Sequence, residues 1–217
     1  MSQHLKIDPS YQKLMPMLQH GLNELGLSLS ETQQTQLLYY LQQLLFWNKA
    51  YNLTAIKQAE PALIKHLLDS LAILPHLRGG SLLDIGTGAG LPGLVIAICQ
   101  PERQVTALDS NGKKIRFIKQ VASELGLKNV VAVASRIEAH EGLYEVITSR
   151  AFASLVDFVT VSQPHLSQTG EVWAMKGVEP LVEMQTLEPN WQISSIKLTV
   201  PYLDEERHLL RLVPKSV

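Results

Sequence analysis

One cysteine, Cys99, stands in 217 residues. No intrachain disulfide can form, and nothing points to an oxidising compartment. Long hydrophobic runs are lacking too. The longest, Leu91 to Cys99, is interrupted by Pro92 and Gly93 and reaches about half a membrane span. The opening stretch MSQHLKIDPS carries no apolar signal region. Excess charge of either sign is missing: 19 basic against 20 acidic residues leave −1, so global charge exerts no pull toward a polyanion. The 7 histidines show no metal-ligand spacing, and with one cysteine no metal site is expected. Internal repeats and low-complexity tracts are absent. These absences leave the expectation of a soluble, cytoplasmic protein. Its composition is ordinary for a globular chain, 46% hydrophobic and 18% charged, and its length suits one large domain or one domain with an extension.

Charge is distributed unevenly. Between Arg103 and Arg136 lie Lys113, Lys114, Arg116, Lys119 and Lys128, opposed only by Asp109 and Glu124. A local basic face on a near-neutral chain can hold a polyanion without general stickiness; it can equally be a solvated helix face.

Two halves are visible. Residues 1–78 show helical signals only and form an expected N-terminal extension. Asp8-Pro9 opens a helix ending near Gly26. Ser30-Glu31-Thr32-Gln33 is a capping box, followed by Leu37, Leu38, Leu41, Leu44, Leu45 and Asn48 on one face. Trp47 to Thr54 shows no strong period. Glu60-Pro61 opens a third helix, on which His66 and Asp69 read as a helix-surface pair. Residues 79–217 alternate strand and helix. Strands are predicted over 81–85, 104–109, 130–134, 144–149 and 170–175, with a final antiparallel pair over 191–200 and 207–213. That pattern means an α/β fold with a mostly parallel, Rossmann-like sheet covered on both faces. No linker separates the halves, so the extension is expected to pack on the sheet unit.

The chemistry concentrates at Asp84-Ile85-Gly86-Thr87-Gly88-Ala89-Gly90-Leu91-Pro92-Gly93, between a predicted strand and a helix. Glycines let a ligand approach the backbone and permit positive φ. Residues 88–93 also fit Gly-x-Gly-x-x-Gly, the dinucleotide fingerprint. The register argues otherwise. A carboxylate at Asp84 repels a pyrophosphate but suits the ammonium end of a methionine moiety, which favours S-adenosylmethionine over NAD. Asp109 closes the second strand, where an acid can accept from both ribose hydroxyls or cap the next helix. Ile137 and Glu138 follow the third strand, at the adenine side of such folds.

After the fourth strand stand Ser149-Arg150-Ala151-Phe152. The Asn/Asp-Pro-Pro-aromatic segment that orients an exocyclic amine is absent. Cys99, in an apolar helix, reads as an inert hydrophobe rather than the thiolate that ring-carbon methylation needs. Both negatives point to a ring nitrogen with a free lone pair. Lys113, Arg116 and Lys119 form a basic stripe opposite Ile115, Ile118, Ala122 and Leu125 on one helix; with Arg136 they are candidate RNA contacts. An NAD-dependent oxidoreductase, an RNA-binding module without catalysis and a small-molecule methyltransferase stay open on these residues alone.

Several segments together resemble the bacterial small-subunit rRNA methyltransferase G, or glucose-inhibited division protein B, family. They are Trp47 to Thr54, His66-x-x-Asp69-Ser70, Asp84 to Gly93, Leu108-Asp109-Ser110, Ser149 to Ser154 and Met175-Lys176-Gly177. Ala89 stands where many relatives have proline. The resemblance implies a seven-stranded class I S-adenosylmethionine-dependent methyltransferase with an N-terminal helical extension. It implies methyl transfer to guanine N7 in 16S rRNA, at nucleotide 527 in usual numbering, leaving S-adenosylhomocysteine and using no metal. Gly86, Leu91, Ile137, Glu138 and Arg150 would contact the cofactor, joined by Asp84, Gly88 and Asp109 from the physical reading. Arg150 and Lys176 are expected nearest the chemistry, and Lys176, Lys49 and Asn52 are further candidate RNA contacts. A monomer acting on the small ribosomal subunit is expected.

Overall fold

The computed structural model describes residues 5–150 and 152–215; Ala151 of the Ser-Arg-Ala-Phe segment lies outside the described residues. Asp8 caps α1 (Pro9–Gln12) by accepting from the Ser10 N–H at 2.8 Å. The continuous helix expected as far as Gly26 is interrupted after α1 and resumes as α2 (Met15–Glu24). Pro16, in the first turn of α2, has no N–H for the Gln12 carbonyl, so the ladder cannot run through.

The capping box opens α3 (Glu31–Tyr51) as predicted. The Gln33 N–H donates to Ser30 Oγ at 3.3 Å and the Ser30 N–H to Gln33 Oε1 at 3.0 Å. The predicted apolar face is buried, and Tyr40 joins it. Trp47 to Tyr51, which shows no strong period in the sequence, is helical. Trp47 packs on Phe117 and Tyr51, with ring centroids 5.7 Å and 5.1 Å away, and Asn52 closes the helix at φ 50°. Next, α4 (Ala59–Ala62) passes through a π turn over Leu63–Leu68 into α5 (Asp69–Leu71). Such turns are frequent at functional sites.

The rest alternates as β1 (Leu82–Ile85), α6 (Gly93–Cys99), β2 (Val105–Asp109), α7 (Gly112–Leu125), β3 (Val130–Ala134), β4 (Tyr144–Ser149), α8 (Leu155–Ser162), β5 (Leu166–Lys176), α9 (Leu181–Leu187), β6 (Trp191–Leu198) and β7 (Arg207–Pro214). Of these, α9 has no counterpart among the elements expected from sequence. All seven strands join one sheet, in the order β3-β2-β1-β4-β5-β7-β6. The first five are parallel, and β7 lies antiparallel between β5 and β6. The order reverses between β1 and β4, so a crevice opens at their carboxyl ends, where such sheets bind ligands.

Alternation along the strands sends side chains to two apolar layers. Leu82, Val105 and Val146 pack with α3, α6 and α7, whereas Leu83, Ile85, Leu108 and Ile147 pack with Leu155, Phe158 and Val159 of α8. The N-terminal helices therefore share a core with the sheet. Arg103, the first residue of the basic stretch, is buried and donates to the Gly80 carbonyl at 2.9 Å and to the Arg78 carbonyl. It ties the entry to β1 and is no part of a polyanion surface.

One bond couples the extension to the ligand loop: the buried Tyr40 hydroxyl donates to the Ala89 carbonyl at 2.9 Å. Tyr40→Phe leaves that carbonyl unsatisfied and should cost about 1–2 kcal/mol in urea unfolding. Fluorescence from Trp47 and Trp173 and far-UV dichroism should report one coincident transition. Separate transitions, or an unchanged midpoint, would contradict the shared core.

Candidate active site

The glycine loop leaves β1 with three residues at positive φ: Gly86 at 66°, Gly88 at 61° and Gly90 at 97°. They divide by surroundings. A Cβ on Gly90 would stand 2.6 Å from Leu94, and one on Gly93 2.8 Å from Asp84, so these two are required by packing. A Cβ on Gly86 would meet nothing nearer than Phe152 at 4.0 Å, and one on Gly88 nothing nearer than the Gly86 carbonyl at 4.0 Å. Gly86 and Gly88 thus form an open ledge over which a ligand can lie against bare backbone. Leu91, further along the loop, is buried in the core.

Asp84 holds the loop in this shape. Its Oδ2 accepts from the Thr87 hydroxyl at 2.6 Å and the Gly93 N–H at 2.9 Å, and its Oδ1 from the Thr148 hydroxyl at 3.3 Å. The residue is fully buried. Asp84, expected from sequence to meet the ammonium end of the cofactor, has its carboxylate turned inward onto donors of the loop, α6 and β4.

At the end of β2, Asp109 Oδ2 accepts from the Gly88 N–H at 3.0 Å and Oδ1 from the Asn111 N–H at 2.8 Å. Lys114 pairs with it at 3.4 Å. The carboxylate is thereby fixed beside the ledge; Oδ2 is taken by the Gly88 N–H and Lys114, and Oδ1 retains capacity to accept a hydroxyl. The Asp109 carbonyl accepts from the Ser135 N–H at 3.2 Å, which brings the segment after β3 alongside. There Ile137 is buried and Glu138 exposed on a short 3₁₀ turn, Ile137–Ala139. Bare glycine ledge, fixed carboxylate and apolar edge fit the three parts of S-adenosylmethionine: methionine chain, ribose and adenine.

Beside the ledge, across the carboxyl ends of β4 and β5, lies a cavity of about 350 Å³. Its polar lining is Lys65, His66, Asp69, Arg150, Lys176 and Arg207. The surface pair expected of His66 and Asp69 is corrected, because both are buried and they do not pair. His66 Nε2 lies 2.8 Å from the Thr54 hydroxyl, and burial pushes its pKa down to about 4, so it is neutral at pH 7. Asp69 receives Arg207 Nε at 3.1 Å and stands 3.6 Å from Arg150 Nη1. Burial pushes its carboxyl above the ordinary value, and the two arginines oppose this. Arg150 also donates to the Lys65 carbonyl at 3.0 Å. Lys176 donates to the Phe152 and Ala153 carbonyls at 2.8 Å and 3.1 Å, which braces the segment carrying Phe152 over Gly86.

The remaining candidates lie elsewhere. Lys113, Arg116 and Lys119 are exposed along α7, opposite the buried face predicted for it, and Arg136 is exposed after β3. Lys49 and Asn52 line a separate groove of about 940 Å³ against α1. Arg207 and Lys65 were not among the residues that sequence reasoning singled out. Arg207 meets Asp69 across 138 residues of chain, and no local pattern marks such a partnership.

Burial pushes the Asp84 carboxyl up to about 6, against the bonds from Thr87, Gly93 and Thr148. An unfolded carboxyl titrates near 3.9. Between these values the folded state holds a proton that the unfolded state has lost. The contribution is therefore full below about pH 4 and disappears as pH rises through 6, by roughly 3 kcal/mol. Asp84→Asn keeps the acceptor for Thr87 and Gly93 and has no such titration. Its stability relative to the wild type should rise by about that amount from pH 4 to pH 7 in urea unfolding. Parallel curves would contradict the assignment.

Comparison with known proteins agrees with the geometry. The sequence model of the GidB family, described as rRNA small subunit methyltransferase G, matches residues 33–210. A ribosomal RNA small subunit methyltransferase G from Psychrobacter cryohalolentis is 60% identical over 214 residues, 98% of this chain and 90% of that protein. One from Acinetobacter baumannii is 54% identical over 200 residues, 90% of this chain and 95% of that protein. Among solved structures, the ribosomal protein L11 methylase of Lactobacillus delbrueckii subsp. bulgaricus superposes with a TM-score of 0.53 at 20% identity, over 69% of this chain and 77% of that one. An S-adenosylmethionine-dependent methyltransferase from Aquifex aeolicus gives 0.54 at 17% identity, over 70% and 93%. The structural likenesses establish the class I methyltransferase fold. The chain belongs to the rRNA small subunit methyltransferase G (GidB) family of S-adenosylmethionine-dependent methyltransferases.

Proposed function

We propose that this protein methylates N7 of a guanine in 16S rRNA of the small ribosomal subunit, at the position usually numbered 527, acting as a monomer in the cytoplasm. The observation that carries this reading is the adjacency of two sites: an open glycine ledge for the cofactor and a cationic cavity at the ends of β4 and β5. S-adenosylmethionine supplies an electrophilic methyl group, and S-adenosylhomocysteine remains. Gly86 and Gly88 would hold its methionine portion, Asp109 its ribose, and Ile137 with Glu138 its adenine.

Guanine N7 carries an in-plane lone pair and no proton. No residue of the chain has to act as a base, and the work left to it is alignment. Phe152 stands over Gly86 at the junction of ledge and cavity, its ring 5.2 Å from Phe158. Arg150, held by Asp69 and the Lys65 carbonyl, is aimed into the cavity rim. There it can meet O6, a phosphate or the cofactor carboxylate while leaving N7 free. Lys176 serves by bracing the Phe152 segment. The one thiol supports no covalent route: burial pushes Cys99 up to about 12, and it lies on α6, packed against the core. Lys49, Asn52, Lys113, Arg116, Lys119 and Arg136 are proposed as outlying RNA contacts, positioning the RNA without reading its sequence.

An N7-methylated guanine carries a fixed positive charge, which opens its imidazole ring to borohydride and the strand to aniline. Unmodified small subunits treated with the protein should gain one such cleavage site, only with S-adenosylmethionine present. Arg150→Ala should lose most of that signal while remaining folded, because Arg207 still pairs with Asp69. Methyl label entering the RNA without new cleavage would overturn the N7 assignment.

A further inference from the structure

The cavity beside the ledge holds four cationic side chains, Lys65, Arg150, Lys176 and Arg207, against one buried carboxylate, Asp69. On a chain whose net charge is −1, such a concentration needs an anion to answer it. Inside the protein only part of that charge is met. Asp69 orients Arg150 and Arg207 from below. Lys176 is committed to two carbonyls.

At the mouth one further acid intervenes. Glu205, on the loop between β6 and β7, divides its two oxygens between two cations. Lys65 Nζ is 2.5 Å from Oε1 and Arg207 Nη2 is 2.9 Å from Oε2. A phosphodiester presents two non-bridging oxygens in the same way, and a lysine beside an arginine fork is a suitable pair of donors for it. The side chains of Glu205 and Lys65 are 51% and 42% exposed. An ion pair so exposed contributes little to the fold and is readily exchanged. Asp69, by contrast, is buried and cannot leave.

We propose that Lys65 and Arg207 form a phosphodiester site at the mouth of this cavity, and that Glu205 is the intramolecular anion an RNA phosphate displaces. The inference rests on the proposed RNA substrate and deepens it: it places a backbone phosphate of the target strand next to the guanine to be methylated. The π turn that carries Lys65 and the loop that carries Glu205 thereby take part in RNA binding, although neither belongs to the sheet.

The test measures equilibrium binding of unmodified small ribosomal subunits over a salt series, alongside methyl transfer and S-adenosylhomocysteine affinity. Lys65→Gln, an exposed change that leaves the Arg207–Asp69 pair intact, should weaken subunit binding by about 3–10-fold and flatten the log–log salt slope by about 0.7–0.9. Glu205→Gln should tighten binding by a similar factor, because the cations no longer have a competitor. Affinity for S-adenosylhomocysteine should be the same in all three proteins. A purely structural ion pair would instead make Glu205→Gln neutral or weakening, and either result overturns the proposal. If the wild type methylates subunits and both variants bind like it, the phosphate site is wrong and the substrate reading stands. If the wild type binds subunits but transfers no methyl group, the substrate reading fails whatever the variants do. If it does not bind them, both fail.

Discussion

A buried carboxylate accepting three hydrogen bonds holds the ligand loop of this protein in place. Removing a carboxylate from water costs several kcal/mol unless donors replace the solvent. Asp84 receives Thr87, Gly93 and Thr148, which belong to the glycine loop, the start of α6 and the neighbouring strand β4. The residue thus fastens together the pieces that meet at the sheet's reversal point. Close packing at Gly93 follows directly, since any side chain there would enter the space of the carboxylate. The open ledge at Gly86 and Gly88 is the outer surface of that fastening, and Asp109 supports it from the next strand through the Gly88 N–H.

A second buried acid does the same for the neighbouring cavity. Asp69 comes from the helical extension, Arg150 follows β4 and Arg207 begins β7. Three distant stretches of chain converge on one charge. The extension therefore does more than cover a sheet face: it supplies the anion around which the cationic wall is arranged, and Tyr40 ties it to the ligand loop. Glycine ledge and cationic cavity are built on parallel plans, each with an inward-facing carboxylate that orders outward-facing groups. That division accounts for the inward-facing bonds of Asp84 and Asp69, both acidic and both buried.

Much of this is legible in the sequence because it is local. The capping box at Ser30 and Gln33 closes within one turn. The glycine spacing from 86 to 93 records backbone demands at fixed positions, and the strands announce themselves as short apolar runs between turns. What stays hidden is nonlocal or lacks contrast. Arg103 looks like any exposed arginine until its carbonyl partners at 78 and 80 are seen. The helix α9 carries Leu181, Met184 and Leu187 at helical spacing, but at 7 residues it is too short for a period to stand out. The break before α2 is available in principle from Pro16, but an apolar pattern on both sides masks it. His66 and Asp69 have the spacing of a surface pair, and their burial depends on Thr54 and Arg207, which nothing nearby in sequence predicts.

Asp84 holds the glycine loop from within through Thr87 and Gly93. The direct measurement is calorimetric binding of S-adenosylhomocysteine and of 5′-methylthioadenosine, which lacks the amino-acid end, to the wild type, Asp84→Asn and Asp84→Ala. If Asp84 orders the loop, Asp84→Asn should keep both affinities within a few-fold, and Asp84→Ala should lower both, since the loop also fixes Asp109 through the Gly88 N–H and both ligands carry the ribose. If instead the carboxylate held the ammonium group, both substitutions would weaken S-adenosylhomocysteine alone and leave 5′-methylthioadenosine untouched, and a positioning role for Asp84 would be contradicted.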